Sequence, residues 1–178
     1  MKKALFLDRD GIINVDHGYV YQKENFEFVD GIFDVCLDAQ QKGYMLIVIT
    51  NQSGIGRGKY TAEQFKQLTN WMTEQFKARH IVINDVYFCP HHPQKAIGEY
   101  LKECDCRKPA PGLILKAAEK YQIMLSESVF IGDKVSDMKA AIAAGIENRF
   151  LLASEYGDES NIEAQRITNI AQASSLIS

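Results

Sequence analysis

Proline is scarce in this chain, and its placement is uneven: all four prolines fall between Pro90 and Pro111. Long apolar runs are missing, and no stretch approaches the ~20 residues that a membrane-crossing helix requires. Met1-Lys2-Lys3 precedes only four apolar residues, too few for the hydrophobic region of a secretory leader, so a cytoplasmic location is expected. An excess of positive charge is also missing. The net charge of −3 argues against a nucleic-acid partner, which demands a concentrated basic surface. Cysteine occurs only four times, and in a reducing compartment such residues read as metal ligands or core filler rather than disulfides. Repeats, low-complexity tracts and linkers are lacking. The 178 residues suffice for one domain with a proper core, residues 1–178, and are too few for two. With 46% hydrophobic and 24% charged residues, the composition is that of a soluble globular protein.

What is present alternates strand with helix. Strand-like runs are Ala4–Leu7, Tyr44–Thr50, Ile83–Phe88, Ser128–Ile131 and Arg149–Leu152. A helix is predicted from Ile32 to Lys42, stopped by Gly43, and another from Thr61, whose Gln64 three residues on makes a capping box. The second carries Phe65, Leu68, Met72 and Phe76 on one face and ends near His80. A third opens with Pro111 at the first helical position and runs to Tyr121; a fourth spans Ser136–Ala144 before Gly145. The segment Glu155–Ser178 reads as a final helix plus tail. Nearly continuous apolar strands alternating with helices predict an α/β fold, with a mostly parallel sheet covered on both faces. No exposed apolar stripe is evident, so a monomer is expected.

Chemistry-bearing residues gather where the strands end, which in such sheets is where ligands bind. Asp8-Arg9-Asp10-Gly11 follows the first run and aims two carboxylates into one crevice. Acids so close need a cation or a shared proton between them. Thr50 closes the second run and leads into the glycine-rich Asn51-Gln52-Ser53-Gly54-Ile55-Gly56-Arg57-Gly58, whose backbone N–H groups suit phosphate oxygens. Gly132-Asp133-Lys134-Val135-Ser136-Asp137 follows the fourth run with two more acids. After the third run, from Cys89 to Pro111, lies a connection of about twenty residues, long enough to need its own source of order. Cys89-Pro90-His91-His92 and Cys104-Asp105-Cys106 supply three thiolates and an imidazole there, a closed tetrahedral set suited to structural Zn²⁺. Spacing admits either histidine and only one is needed; the set carried forward is Cys89, His91, Cys104 and Cys106. A full ligand set leaves no open position, so this zinc holds the loop (residues 89–108) and does no chemistry. Cys36 sits apart on the first helix as a core residue.

Acid pair, hydroxyl, lysine and acid pair, each after a predicted strand, resemble the four motifs of the haloacid dehalogenase-type phosphotransferases. The resemblance spans Asp8 to about Gly145. Asp8-Arg9-Asp10-Gly11, Thr50-Asn51-Gln52-Ser53-Gly54 and Cys104-Asp105-Cys106-Arg107-Lys108-Pro109 are similar to the zinc-loop branch of that superfamily, which acts on a heptose bisphosphate or on histidinol phosphate. The stretches Asn14–Val20 and Asn25–Phe28 resemble the heptose-specific members most.

The resemblance implies a Rossmann-like three-layer sandwich and a Mg²⁺-dependent phosphatase that removes the 7-phosphate of the heptose 1,7-bisphosphate, with histidinol phosphate as the alternative substrate. Asp8 would be the nucleophile and Asp10 the general acid and base. Asp8, the backbone carbonyl of Asp10, and Asp133 would hold Mg²⁺; Thr50 and Lys108 would bind the transferring phosphoryl oxygens. Asp16, His17, Gly18, Tyr19, Asn51, Gln52, Ser53, Arg107 and Lys134 would face the substrate, with Arg107 toward the second phosphate and Arg57 a lesser candidate. Ile12 departs from the usual threonine after Asp-x-Asp-Gly. Only about twenty residues separate Asp10 from the first helix, too few for an inserted cap domain, so an open, capless site walled by the 14–25 loop and the zinc loop is expected. A phospho-receiver domain is excluded by motif order, because its phosphorylated aspartate lies in mid-chain.

Overall fold

The computed structural model describes residues 1–178. Six strands form one sheet: β1 (Lys3–Leu7), β2 (Tyr44–Asn51), β3 (Asp85–Cys89), β4 (Val129–Gly132), β5 (Asn148–Leu152) and β6 (Gln165–Ile167). Their order is β3-β2-β1-β4-β5-β6, and every pairing is parallel. This is the doubly wound order, in which connections leave β1 and β4 in opposite directions and open a crevice between their carboxyl ends. Asp8 and Asp133 each follow directly on one of those two strands.

Alternation along β1 and β2 feeds two cores. Leu5, Leu7, Leu46 and Val48 face one side, against Ile32, Val35, Cys36 and Ala39 of α1 (Ile32–Gln41). That side also takes Leu68, Met72 and Phe76 of α3 (Ala62–Lys77). Ala4, Phe6, Ile47 and Ile49 face the other, against Leu113, Ile114 and Ala117 of α4 (Gly112–Tyr121) and Met138, Ala140 and Ala141 of α5 (Val135–Ala144). A strand buried on both faces reads as an unbroken apolar run, which is how β1 and β2 read. Thr61 and Gln64 form the expected capping box at the start of α3. Gly43 and Gly145 take left-handed backbone (φ 88° and 90°) after their helices, a conformation that excludes most side chains.

Three expectations need correction. Pro111 stands at the N-cap of α4 and not at its first helical position. The segment from Glu155 holds no long helix: it forms edge strand β6 and a short 3-10 turn at Ile170–Ala173, whose Ile170 and Ala173 complete the first core. The sparse apolar residues there match a short edge strand as well as a helix, and periodicity does not separate the two. Ser53–Gly56 is a single helical turn, α2, in place of an open glycine loop. Its glycines are set by packing, since a Cβ at Gly54 would lie 2.3 Å from the Tyr60 ring and one at Gly56 2.5 Å from the Pro90 carbonyl oxygen.

Between Asp8 and α1 the chain forms only isolated bridges and the 3-10 turn Lys23–Asn25, so no cap domain is inserted there. No helix is long and apolar enough to cross a membrane. Cys36 is fully buried, and burial pushes its thiol up to about 12, as an unreactive core residue requires.

Candidate active site

The crevice at the β1–β4 switch holds an unusual concentration of buried charge. Asp8, Lys108, Asp133 and Asp137 are each no more than 4% exposed. Lys108 Nζ lies 3.0 Å from Asp8 Oδ1 and 2.7 Å from Asp137 Oδ1, and it donates to the Ile49 carbonyl at 2.9 Å. A buried lysine persists as a cation only among such partners, and here the two carboxylates overcome its burial and raise its pKa. Asp137 Oδ2 accepts from the backbone N–H groups of Asp133 and Lys134 at 3.2 and 3.1 Å, which fixes the start of α5.

Lys108, with Lys134 nearby, does not offset three buried acids. Burial first, then the charge of Asp137, raises Asp8 to about 6; burial, Asp8 and Asp137 raise Asp133 to about 8. Carboxylate oxygens of Asp8, Asp133 and Asp137 lie within 4.8 Å of one another, and Asp133 Oδ1 is buried without a hydrogen-bond partner. An oxygen-only, strongly anionic set of this kind fits a hard divalent cation. Gly11 makes room for it: φ is 93°, and a Cβ there would stand 2.1 Å from Asp133 Oδ2.

Asp10 is held apart from this cluster. Its Oδ1 accepts from Arg9 Nη2 at 2.8 Å and Asn14 Nδ2 at 3.0 Å, and its Oδ2 accepts from Gln52 Nε2 at 3.0 Å. Burial opposes its charge, but the Arg9 charge and hydrogen bond, with the Asn14 bond, outweigh burial and lower its pKa. With no cation bound, the two acids of one short motif are thus pushed in opposite directions, Asp8 toward its neutral form and Asp10 toward its charged one.

The second cluster lies in the 89–108 loop. His91 Nδ1 stands 3.5 Å from Cys89 Sγ and 3.3 Å from Cys106 Sγ, and Cys104 Sγ lies 3.4 and 3.3 Å from the sulfurs of Cys89 and Cys106. All three thiols are free, so the set could form a zinc site. Geometry chooses between the two histidines: His92 Nδ1 accepts from the backbone N–H groups of Gln94 and Lys95 and turns the loop instead.

A HAD-hydrolase-like family model matches residues 105–173. The D-glycero-beta-D-manno-heptose-1,7-bisphosphate 7-phosphatase of Vibrio cholerae is 48% identical over 151 residues, covering 85% of this chain and 81% of that protein. The Escherichia coli K12 enzyme of the same name is 48% identical over 149 residues, 84% of this chain and 78% of the relative. The chain belongs to the heptose-1,7-bisphosphate 7-phosphatase family, within the HAD-like hydrolases. Among solved structures, a HAD-like phosphatase from Mesorhizobium loti superposes with a TM-score of 0.88 at 28% identity, over 99% of this chain and 84% of that one. A D,D-heptose 1,7-bisphosphate phosphatase from B. bronchiseptica, solved with magnesium and phosphate, shares the fold at a TM-score of 0.84 and 24% identity, covering 98% and 97% of the two chains.

The family's remaining candidate residues divide by where their side chains are engaged. Thr50 is fully buried near the end of β2, and its Oγ1 accepts from Gln52 Nε2 at 3.0 Å. Asn51, expected to face substrate, instead bonds both backbone groups of Lys108: Nδ2 donates to its carbonyl at 3.2 Å and Oδ1 accepts from its N–H at 3.0 Å. Gln52, also expected to face substrate, is 2% exposed and bridges Asp10 to Thr50 while accepting from the Tyr60 hydroxyl. Both carboxamides are turned inward, where they hold the backbone of Lys108 and the side chains of Asp10 and Thr50.

At the rim, Asp16 Oδ1 accepts from Gly18 N at 3.1 Å, His17 Nε2 meets Glu27 at 2.9 Å, and Tyr19 is 44% exposed with its hydroxyl accepting from Arg57 Nη1 at 2.9 Å. Ser53 opens α2. Half-buried Arg107 donates to the His91 carbonyl at 3.5 Å, which ties it to the metal loop. Lys134, the N-cap of α5, reaches out over the Tyr156 ring at 4.5 Å. A groove of about 440 Å³ runs along the 17–27 loop, lined by His17, Tyr19, Glu24 and Glu27; Asp8 and Asp10 do not line it.

Sequence reasoning passed over Arg9, Asn14 and Tyr60 as site residues, and it counted Asp137 in the second acid pair without giving it a role. Arg9 is 1% exposed, donates to the Val20 carbonyl at 2.8 Å, and lies 5.8 and 5.9 Å from the Phe26 and Phe65 ring centroids. A charged residue between two acids was its only signal. Asp137 had a clearer one, an acid four residues after Asp133 in the first turn of a helix. Ile12, in place of the usual threonine, is fully buried in the first core, so the position contributes packing here.

Proposed function

We propose that this chain is a single-domain, Mg²⁺-dependent phosphatase that removes the 7-phosphate of D-glycero-D-manno-heptose 1,7-bisphosphate through an aspartyl-phosphate on Asp8. The single observation that carries the reading is the 48% identity to enzymes of that activity over 85% of the chain. The buried constellation of Asp8, Asp10, Thr50, Lys108 and Asp133 supports it. Asp8, Asp133 and the Asp10 carbonyl would hold the magnesium ion, which when bound offsets the charge between the anionic nucleophile and the anionic phosphate.

The protein's own groups do the rest. Asp8 attacks phosphorus, and the bond to the sugar oxygen breaks as Asp10 delivers a proton to it. Asp10 then takes a proton from the water that hydrolyses the aspartyl-phosphate, returning both acids to their starting state. Lys108 and Thr50 face the transferring phosphoryl group, where charge must be stabilised in the transition state. Asn51 fixes the backbone of Lys108, and Gln52 fixes Asp10 relative to Thr50. Zinc bound by Cys89, His91, Cys104 and Cys106 holds the loop that carries Arg107 and Lys108. The substrate's second phosphate meets Arg107, while Asp16 to Tyr19, Ser53 and Lys134 form the rim that receives the sugar. A monomer in the cytoplasm, feeding nucleotide-activated heptose to the lipopolysaccharide core, fits this chemistry.

Histidinol phosphate has one phosphate and a cationic amine, so it needs unpaired acids at the rim. Glu27 is paired with His17 and Asp16 with Tyr156, which favours the bisphosphate. Phosphate release from the two substrates, side by side with Mg²⁺, tests the assignment. The heptose should be preferred by about two orders of magnitude in kcat/KM, some 2.7 kcal/mol of discrimination. The reverse preference would refute the substrate while leaving the mechanism standing.

A further inference from the structure

After β5 the chain does not leave the site. Ser154 Oγ donates to the Asp133 carbonyl at 2.7 Å and accepts from Tyr156 N at 3.2 Å, which hooks the loop onto the segment carrying Asp133. The Tyr156 ring lies 4.5 Å from Lys134 Nζ, and its hydroxyl donates to Asp16 Oδ2. Asp16 belongs to the loop after β1, and β4 lies between β1 and β5 in the sheet. The phenol therefore reaches over the carboxyl end of β4, across the mouth of the crevice that holds Asp8 and Asp133. No motif marks this residue, and the segment around it reads in the sequence as a final helix plus tail.

We infer that Tyr156 is a positioning residue for the sugar bisphosphate, holding Asp16 and Lys134 in the posture that receives the substrate's polyol and phosphate groups. This rests on the phosphatase reading above. Asp16 accepts from Gly18 N on one oxygen and from Tyr156 on the other, and a carboxylate oxygen with one donor keeps a lone pair for a sugar hydroxyl. Without the phenol, Asp16 is held only within its own turn, and the orienting contact is lost before substrate arrives. The aromatic face also orders the Lys134 ammonium, a flexible side chain that otherwise loses entropy on binding.

The test is Tyr156→Phe, which keeps the ring over Lys134, alongside Tyr156→Ala, which removes it. Each is assayed on heptose 1,7-bisphosphate and on p-nitrophenyl phosphate, a small ester that needs only the reacting centre. The ratio of kcat/KM for the bisphosphate to that for the aryl phosphate should fall about tenfold in Tyr156→Phe, as expected for one hydrogen bond to a charged group, and further in Tyr156→Ala. The loss should sit in KM. Asp16→Ala combined with Tyr156→Phe should cost less than the product of the two single effects. An unmoved ratio, an equal loss on both esters, or full independence of the two sites overturns the assignment. A wild-type protein inert toward both esters overturns the phosphatase reading itself, and this inference with it.

Discussion

Replacing Gln52 by leucine separates an internal strut from a substrate contact. The side chain keeps its volume, so no cavity opens, but three partners lose their bond at once: Asp10 Oδ2 and Thr50 Oγ1, each 3.0 Å from Nε2, and the Tyr60 hydroxyl. The bond to Asp10 involves a charged group and is worth about 1.5–3 kcal/mol. At about 1.4 kcal/mol per factor of ten, its loss should lower kcat roughly 10- to 100-fold, because in the proposed mechanism Asp10 carries the proton and this bond orients it. Tyr60 is 5% exposed, so its stranded hydroxyl should cost about 1–3 kcal/mol of stability, roughly 2–4 °C in Tm per kcal/mol for a chain of this size. Steady-state kinetics on heptose 1,7-bisphosphate and a thermal melt measure both. A raised KM with unchanged kcat and Tm would mean that Gln52 faces the sugar after all, and the strut would be refuted.

Chelating zinc, or substituting Cys106→Ser, should lower both Tm and kcat/KM, since Arg107 and Lys108 follow directly on the last ligand; full activity of zinc-free protein by metal analysis would contradict this. Asp8 at about 6 and Asp133 at about 8 both lie above the unfolded carboxyl value. From about pH 4 to pH 8 these two carboxyls therefore bind more protons in the metal-free fold than in the unfolded chain, and their contribution to stability falls as pH rises. Mg²⁺ reverses the cause, so its stabilisation in a melt should be larger at pH 8 than at pH 5.5; an equal gain at both would sink the acid-cluster account. Gly11→Ala, which combines a φ of 93° with an approach of 2.1 Å to Asp133, should lose at least about 100-fold in activity or fail to fold, read by phosphate release and circular dichroism.

The alternating order of elements and the cysteine–histidine cluster were legible because each rests on local pattern. β1 and β2 are buried on both faces and read as apolar runs, α3 announces itself by its capping box, and three cysteines close together in a proline-rich loop point to a metal. The acid and hydroxyl candidates Asp8, Asp10, Thr50 and Asp133 stood out for the same reason, each lying in a short motif at or directly after a strand end. What could not be read was direction. Asn51 and Gln52 stand in one motif beside Thr50, and whether a carboxamide turns toward substrate or toward Lys108 and Asp10 depends on partners 57 and 42 residues away. Tyr156 is a harder case, because the residues that give it a place, Asp16 and Lys134, lie on two other loops. The edge strand β6 escaped for an energetic reason: only Ile167 of its three residues is buried, too little for any periodicity to register.

The most direct test of the account is phosphate release from D-glycero-D-manno-heptose 1,7-bisphosphate with Mg²⁺ by the wild-type protein and by Asp8→Asn. The account predicts rapid release of one phosphate by the wild type and loss of at least about three orders of magnitude, some 4 kcal/mol, in the variant. An Asp8→Asn protein that still turns over at a comparable rate would contradict it.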